Sequence, residues 1–213
     1  MDKNVNFVVE KKVERTIQNL EKNNINAYFV QTEEDALNKI KELISEGDTV
    51  SVGGSMTLFE IKAIDLLRNG KYNFFDRYEE NLTSEEIKDI NRKNFFSNVF
   101  LTSSNAITEN GELYNVDGRG SRVAPMIYGP DRVIVVVGIN KIVGDLDEAI
   151  VRNRVLAAPA NARRLNKDTA CARVGYCVDC NSKNRICNKY VVIKREMDLE
   201  RTHVIIVNKQ LGY

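Results

Sequence analysis

Apolar residues return at helical spacing near the start of the chain. Val9, Val13, Ile17 and Leu20 fall on one face, which predicts an amphipathic helix over about residues 5–23. A short strand follows at 26–30. Thr32 opens a second helix, with Ala36, Leu37, Ile40, Leu43 and Ile44 on one side and Gly47 at its end. Residues 48–52 form a strand that Gly53-Gly54-Ser55 breaks, and a helix continues from Thr57 to Leu67. Residues 72–75 supply another short strand. Thr83-Ser84-Glu85-Glu86 is a capping-box pattern, with Thr83 as cap and Glu86 reaching back, and it predicts a helix to about Phe96. A strand over 98–101 leads out of it.

The centre of the chain carries the densest signals. Glu109-Asn110-Gly111-Glu112 predicts a two-residue hairpin turn, because Asn-Gly takes positive φ at both positions at little steric cost. A polar loop over 115–122 follows, with two glycines, Asp117, Arg119 and Arg122. Gly129-Pro130-Asp131 then turns the chain into Arg132-Val133-Ile134-Val135-Val136-Val137. Such a β-branched run predicts a strand buried on both faces. Asp145, Asp147 and Glu148 mark a helix start, where the helix dipole favours acids. That helix is expected to end near Ala158-Pro159, with a shorter one through Leu165. Residues 171–187 look irregular, and strands at 190–193 and 203–207 close the chain.

Alternation of β and α units predicts an α/β fold: a doubly wound, mostly parallel Rossmann-like sheet with an inserted β-hairpin and a C-terminal cysteine-rich segment. The expected division is an α/β domain over 1–168, the cysteine segment over 169–189, and C-terminal strands over 190–213 returning to the main sheet. In such sheets ligands sit beside the carboxyl ends of central strands.

Composition narrows the chemistry. The net charge of +1 over 213 residues argues against a nucleic-acid or membrane-surface protein. No apolar run approaches a membrane span, and the charged N-terminus is unlike a secretory signal, so a cytoplasmic protein is expected. In that compartment the four cysteines are thiols or metal ligands rather than disulfides. The single histidine, His203, starts a late strand, where a structural role is the expectation.

Three groups of residues could carry function. Gly53, Gly54 and Ser55 follow a strand and open a helix, where free N–H groups, the helix dipole and a serine hydroxyl favour an anion; the alternative is an ordinary tight turn. Asn105, Glu109, Asn115, Asp117 and Arg122 flank the hairpin and the polar loop, and an arginine fork suits a carboxylate or phosphate; the alternative is turn chemistry, with Asn and Asp satisfying local backbone groups and Glu109 a mere hairpin flank. Lys141, just past the central strand, could pair with the same anion or be a solvated surface lysine. The third group is Cys171, Cys177, Cys180 and Cys187, all within the irregular segment. Four thiolates would satisfy a tetrahedral zinc or an iron–sulfur cluster, against unrelated reduced thiols or a redox Cys177/Cys180 pair. Only one short Cys-x2-Cys knuckle is present, which tilts the expectation toward iron–sulfur.

The ordered set Asn105-Ala106-Ile107-Thr108-Glu109, Asn115-Val116-Asp117-Gly118, Arg122-Val123-Ala124, Gly129-Pro130, Asn140-Lys141-Ile142-Val143 and Ala158-Pro159-Ala160-Asn161-Ala162, with the Gly53 turn ahead of it, resembles the lactate-utilisation (LUD) domain family. The resemblance covers about residues 5–165 and leaves the cysteine segment outside. It implies a fold similar to ribose-phosphate isomerases and CoA transferases, and a role in organic-acid, lactate-like utilisation with a small anionic metabolite as ligand. The family includes a subunit of a bacterial L-lactate oxidation system whose other subunits carry iron–sulfur clusters, so redox-complex partners are one implication; a homo-oligomer is a separate expectation. Two alternatives remain open. One is a stand-alone isomerase or CoA-transferase-type enzyme using Glu109 or Asp117 as base or nucleophile. The other is a non-catalytic subunit of a multi-protein redox complex.

Overall fold

The computed structural model describes residues 2–213. In chain order, α1 is Lys3–Lys22, β1 Asn26–Val30, α2 Glu33–Leu43, β2 Thr49–Val52, α3 Met56–Glu60, α4 Ala63–Asn69, β3 Asn73–Phe75, α5 Ser84–Lys93, β4 Val99–Thr102, β5 Ala106–Thr108 and β6 Leu113–Asp117. Then come α6 Val123–Ile127, β7 Arg132–Gly138, β8 Ile142–Val143, α7 Leu146–Arg152, α8 Ala158–Arg164, α9 Ala170–Val174, β9 Lys189–Ile193 and β10 Thr202–Val207.

The α/β expectation holds. The main sheet has the order β1-β10-β7-β4-β2-β3, and every pair in it is parallel. Strand β7 shows why a fully apolar run was needed. Ile134 and Val136 face a core formed with α2, α3 and α4, while Val133, Val135 and Val137 face the opposite core, to which α1 contributes Val13 and Leu20. Period-two alternation with both sides apolar is what burial on two faces requires.

The inserted hairpin grows into more than an insertion. Strands β5 and β6 belong to a second sheet, ordered β8-β5-β6-β9, which packs Ile107, Leu113 and Ile142 against one face of the main sheet. Here the structure corrects the expected layout: of the two C-terminal strands only β10 enters the main sheet, whereas β9 pairs antiparallel with β6. The alternating exposure of β9 shows a strand covered on one side only.

Local differences have local causes. The hairpin turn is a three-residue loop. Thr108 O accepts from Gly111 N, and Gly111 alone takes positive φ (79°), so Glu109 and Asn110 form a type I turn and Gly111 the bulge. A Cβ on Gly111 would stand 2.5 Å from the Asn19 backbone of α1, which explains the glycine independently of its φ. The helix expected over 57–67 splits at Lys62, whose φ of 60° is left-handed. The helix expected to stop at Ala158-Pro159 does not stop. A π-helical stretch, Asn153–Ala157, joins α7 to α8. Pro159 has no N–H to offer the preceding turn, and Arg154 O accepts instead from Cys177 N at 2.9 Å. That bond ties the cysteine segment to the helix.

Candidate active-site pocket

A polar pocket opens where β2, β4 and β7 end. It is lined by Gly54, Ser55 and Met56, by Ser103, Ser104 and Asn105, and by Val116, Arg122 and Lys141. Ala157, Asn161 and Arg164 of the π–α8 segment and Tyr213 complete it. The chain leaves β2 for edge strand β3 and returns to β4 on the other side of β2, so the crevice lies at a reversal of strand order. Its volume is about 70 Å³, a size for a few-atom ligand.

Each side chain reaches the pocket for a traceable reason. Gly53 must be glycine because a Cβ there would meet Arg122 Cγ and Thr102 Oγ1, each at 2.7 Å. Arg122 therefore lies directly against the end of β2. Asp117 folds the polar loop from within: Oδ1 accepts from Arg119 N and Gly120 N, and Oδ2 from Arg122 N at 3.1 Å. Ser55 caps α3 by accepting from Leu58 N, which leaves its hydroxyl hydrogen free.

Arg122 spends its fork on the protein. Nη1 donates to Ser103 O and Asn115 Oδ1, and Nη2 to Asn105 Oδ1 and Val116 O. It brings charge and order to the pocket, while donors for a ligand come from its neighbours. Lys141 is 2% exposed. Its Nζ donates to Thr57 Oγ1 at 3.0 Å and Ser103 Oγ at 2.9 Å. Arg152, 8% exposed, donates to Asn140 O and Asn105 O behind the pocket wall. No ion pair among the described residues includes any of these three cations. Arg152 Nη2 and Asn115 Nδ2 are buried donors without a protein acceptor.

The electrostatic consequence is large. Burial, then repulsion from Arg152 and Arg122, lowers the Lys141 pKa from 10.5 to about 7, with Glu60 opposing. Burial also pulls down the pKa of Arg122, against the pull of Asp117, and that of Arg152. Burial raises Tyr78, whose hydroxyl stands over the Gly54 turn.

Of the residues singled out from sequence, the structure brings together Gly54, Ser55, Asn105, Arg122 and Lys141 as pocket lining, with Gly53 and Asn115 directly behind. Glu109 is elsewhere, at the hairpin tip, accepting from Arg15 with Lys12 nearby. Asp117 lies outside the lining, with its oxygens turned to backbone amides. Sequence reasoning missed Thr57, Ser103, Arg152, Asn161, Arg164 and Tyr213. His203 is structural: Nε2 meets Glu200 O and must donate, so Nδ1 accepts from Tyr28 OH.

The cysteines divide. Cys187 is buried against Tyr114 and Val116, and its pKa is raised by burial first, with Arg185 opposing and the Cys177 and Cys180 thiols adding to the rise. Cys171 sits on α9, its sulfur 3.4 Å from Thr169 Oγ1. Among the described residues no three His, Cys, Asp or Glu side chains converge as metal ligands.

The LUD domain family model matches residues 13–207, which includes the cysteine segment and β10. The chain belongs to the LUD domain family. The match runs further than the resemblance over 5–165 implied, so the cysteine segment is within the family's span. Among solved structures, a DUF162 family protein from Deinococcus radiodurans is similar at 15% identity and a TM-score of 0.53, covering 94% of this chain and 96% of that one. That likeness concerns the fold. Weaker likenesses reach eIF2B beta from Chaetomium thermophilum (15% identity, TM-score 0.37, 55% and 44% covered) and ribose 5-phosphate isomerase from Plasmodium falciparum (16%, 0.34, 53% and 52%). No curated protein matches. No helix among the described residues is long and apolar enough to cross a membrane.

Proposed function

We propose that this LUD-domain chain binds a small anionic metabolite, a short carboxylate above all, in the pocket between the Gly53–Ser55 turn and Lys141, and serves organic-acid utilisation. One observation carries the reading: Lys141, Arg122 and Arg152 converge without a carboxylate partner. Buried cations are normally paired, because an isolated charge is costly to desolvate. A bound anion would supply the missing charge, accepting from Lys141, the Ser55 hydroxyl, Asn161 and Arg164. Isothermal calorimetry against lactate, pyruvate, a sugar phosphate and CoA tests this. Micromolar to millimolar binding of a short carboxylate, lost in Lys141→Met, is the expected result; no binding of any of the four would remove the reading. Chemistry on Glu109 or Asp117 draws no support from where these carboxylates point.

A second reading concerns the cysteines, because Cys177 and Cys180 lie close enough to Cys187 to act on its thiol. We propose that these three, joined by Cys171 through movement of the α9 end, hold an iron–sulfur cluster or zinc, for structure or for electron exchange with a partner subunit. Metal and acid-labile sulfide analysis of anaerobically purified protein tests it. Four titratable thiols with neither metal would sink it.

A further inference from the structure

The pocket floor is an amine rather than a carboxylate or an imidazole, and its surroundings suit it to more than ion pairing. We propose that Lys141 is a nucleophile, condensing through Nζ with the carbonyl carbon of a short 2-oxo acid held in the pocket. The proposal rests on the anion-binding reading above and names the substrate class within it.

Four features of the geometry support this. Lys141 is nearly sealed from solvent yet lines the pocket, so its amine meets a bound ligand and little else. Its hydrogen-bonding partners are two hydroxyls, Thr57 Oγ1 and Ser103 Oγ. Hydroxyls can accept from an ammonium or donate to a neutral amine, so they tolerate loss of the proton. The charges that act on it are those of Arg152 and Arg122, with Glu60 opposing, and two cations acting on a buried lysine favour its neutral, nucleophilic form. Finally, Ser55, Asn161 and Arg164 stand at the same pocket, where they can hold the substrate carboxylate while its carbonyl reaches Nζ.

The step balances without an added oxidant or reductant. The amine lone pair attacks the carbonyl carbon and a C–N bond forms. Both amine hydrogens depart with the carbonyl oxygen as water, leaving an imine to Lys141. Ser103 and Thr57 are placed to pass those protons. A 2-hydroxy acid lacks the carbonyl and would bind only as an anion.

The test is reduction of the full-length protein with cyanoborohydride in the presence of pyruvate, followed by intact-mass and peptide analysis, with lactate as control. The expected result is one adduct of pyruvic acid less one oxygen atom, mapped to Lys141, absent with lactate and suppressed when excess lactate competes. Lys141→Arg, whose guanidinium does not condense with the carbonyl, should abolish it. Because the wild-type peptide map stands alone, poor folding of that variant leaves the result readable. Pyruvate that binds by calorimetry but leaves Lys141 unmodified overturns the imine and spares the anion pocket. Modification spread over surface lysines with Lys141 untouched also overturns it. Neither binding nor adduct overturns both readings.

Discussion

At the hairpin tip, Glu109 meets Arg15 and Lys12 in a partly solvated cluster. At the carboxyl edge of the main sheet, Lys141, Arg122 and Arg152 gather, and no carboxylate among the described residues is at pairing distance from them. The side-chain types overlap, but the energetics differ. The hairpin cluster gives its cations a carboxylate in high dielectric, where such pairs contribute about 0–1 kcal/mol. The pocket cations are desolvated, their protein acceptors are uncharged, and Arg152 Nη2 has no acceptor among the described residues. The first arrangement fastens a loop to α1; the second is an electrostatic cost, carried in full while Lys141 is protonated.

The contrast is sharpest in Lys141→Met. The folded-state pKa lies below the unfolded value of 10.5, so the unfolded chain holds more protons between about pH 7 and 10.5. Stability of the parent protein therefore rises with pH across that window, and below pH 7 the burial penalty is present in full. The variant should lose that pH dependence, gain on the order of a few kcal/mol at pH 6 relative to pH 10, and bind anions about 30-fold more weakly or worse. Denaturant titrations at several pH values check the first part and calorimetry the second. A variant that keeps the parent's pH profile would show that Lys141 is not buried as a strained cation.

Arg122→Ala should be costly in a different way. It removes a donor from four acceptors, of which Ser103 O and Asn105 Oδ1 keep a second one, so a loss of about 3 kcal/mol in urea unfolding is expected. Arg122→Lys should not restore it, because an ammonium cannot serve the same fork. Gly53→Ala comes next. The added methyl would collide with Arg122 Cγ and Thr102 Oγ1, costing about 1–3 kcal/mol and weakening anion binding by displacing Arg122. The smallest effect belongs to the hairpin: Arg15→Ala should change stability by less than about 1 kcal/mol, diminishing with salt, and leave anion binding unaltered. If Arg15→Ala altered binding as strongly as Gly53→Ala, the two regions would not be the separate devices described.

Much of this was legible in the sequence because it rests on local signals. The run 132–137, the Thr83–Glu86 capping box and the Gly53-Gly54-Ser55 break each encode their own structure through side-chain period, capping geometry or steric freedom. The pocket was legible in part for the same reason, since Gly54, Ser55, Arg122 and Lys141 lie at ends of recognisable elements. What stayed hidden depends on contacts distant in sequence. Nothing around residue 141 announces that Thr57 and Ser103 will enclose its amine, or that Arg152 will approach it. The π-helical stretch that brings Asn161 and Arg164 to the pocket follows from how Pro159 is accommodated, and a proline alone argued for a stop. Strand β9 joined the second sheet because β6 offered an open edge, a fact of topology rather than of residues 189–193. Asp117 carried two readings, chemistry beside an arginine or local turn chemistry, and its oxygens fold the loop.

The most direct test of the central claim, an uncompensated lysine awaiting an anion, is proton linkage measured by calorimetry. Lactate, which has no carbonyl to condense, would be titrated at pH 6 and pH 8 in buffers of different ionisation enthalpy. A bound anion raises the Lys141 pKa, so binding should take up close to one proton (~1) at pH 8 and almost none at pH 6. Affinity should fall as pH rises above about 7. Binding that exchanges no proton at pH 8, with affinity flat from pH 6 to 9, would contradict the account.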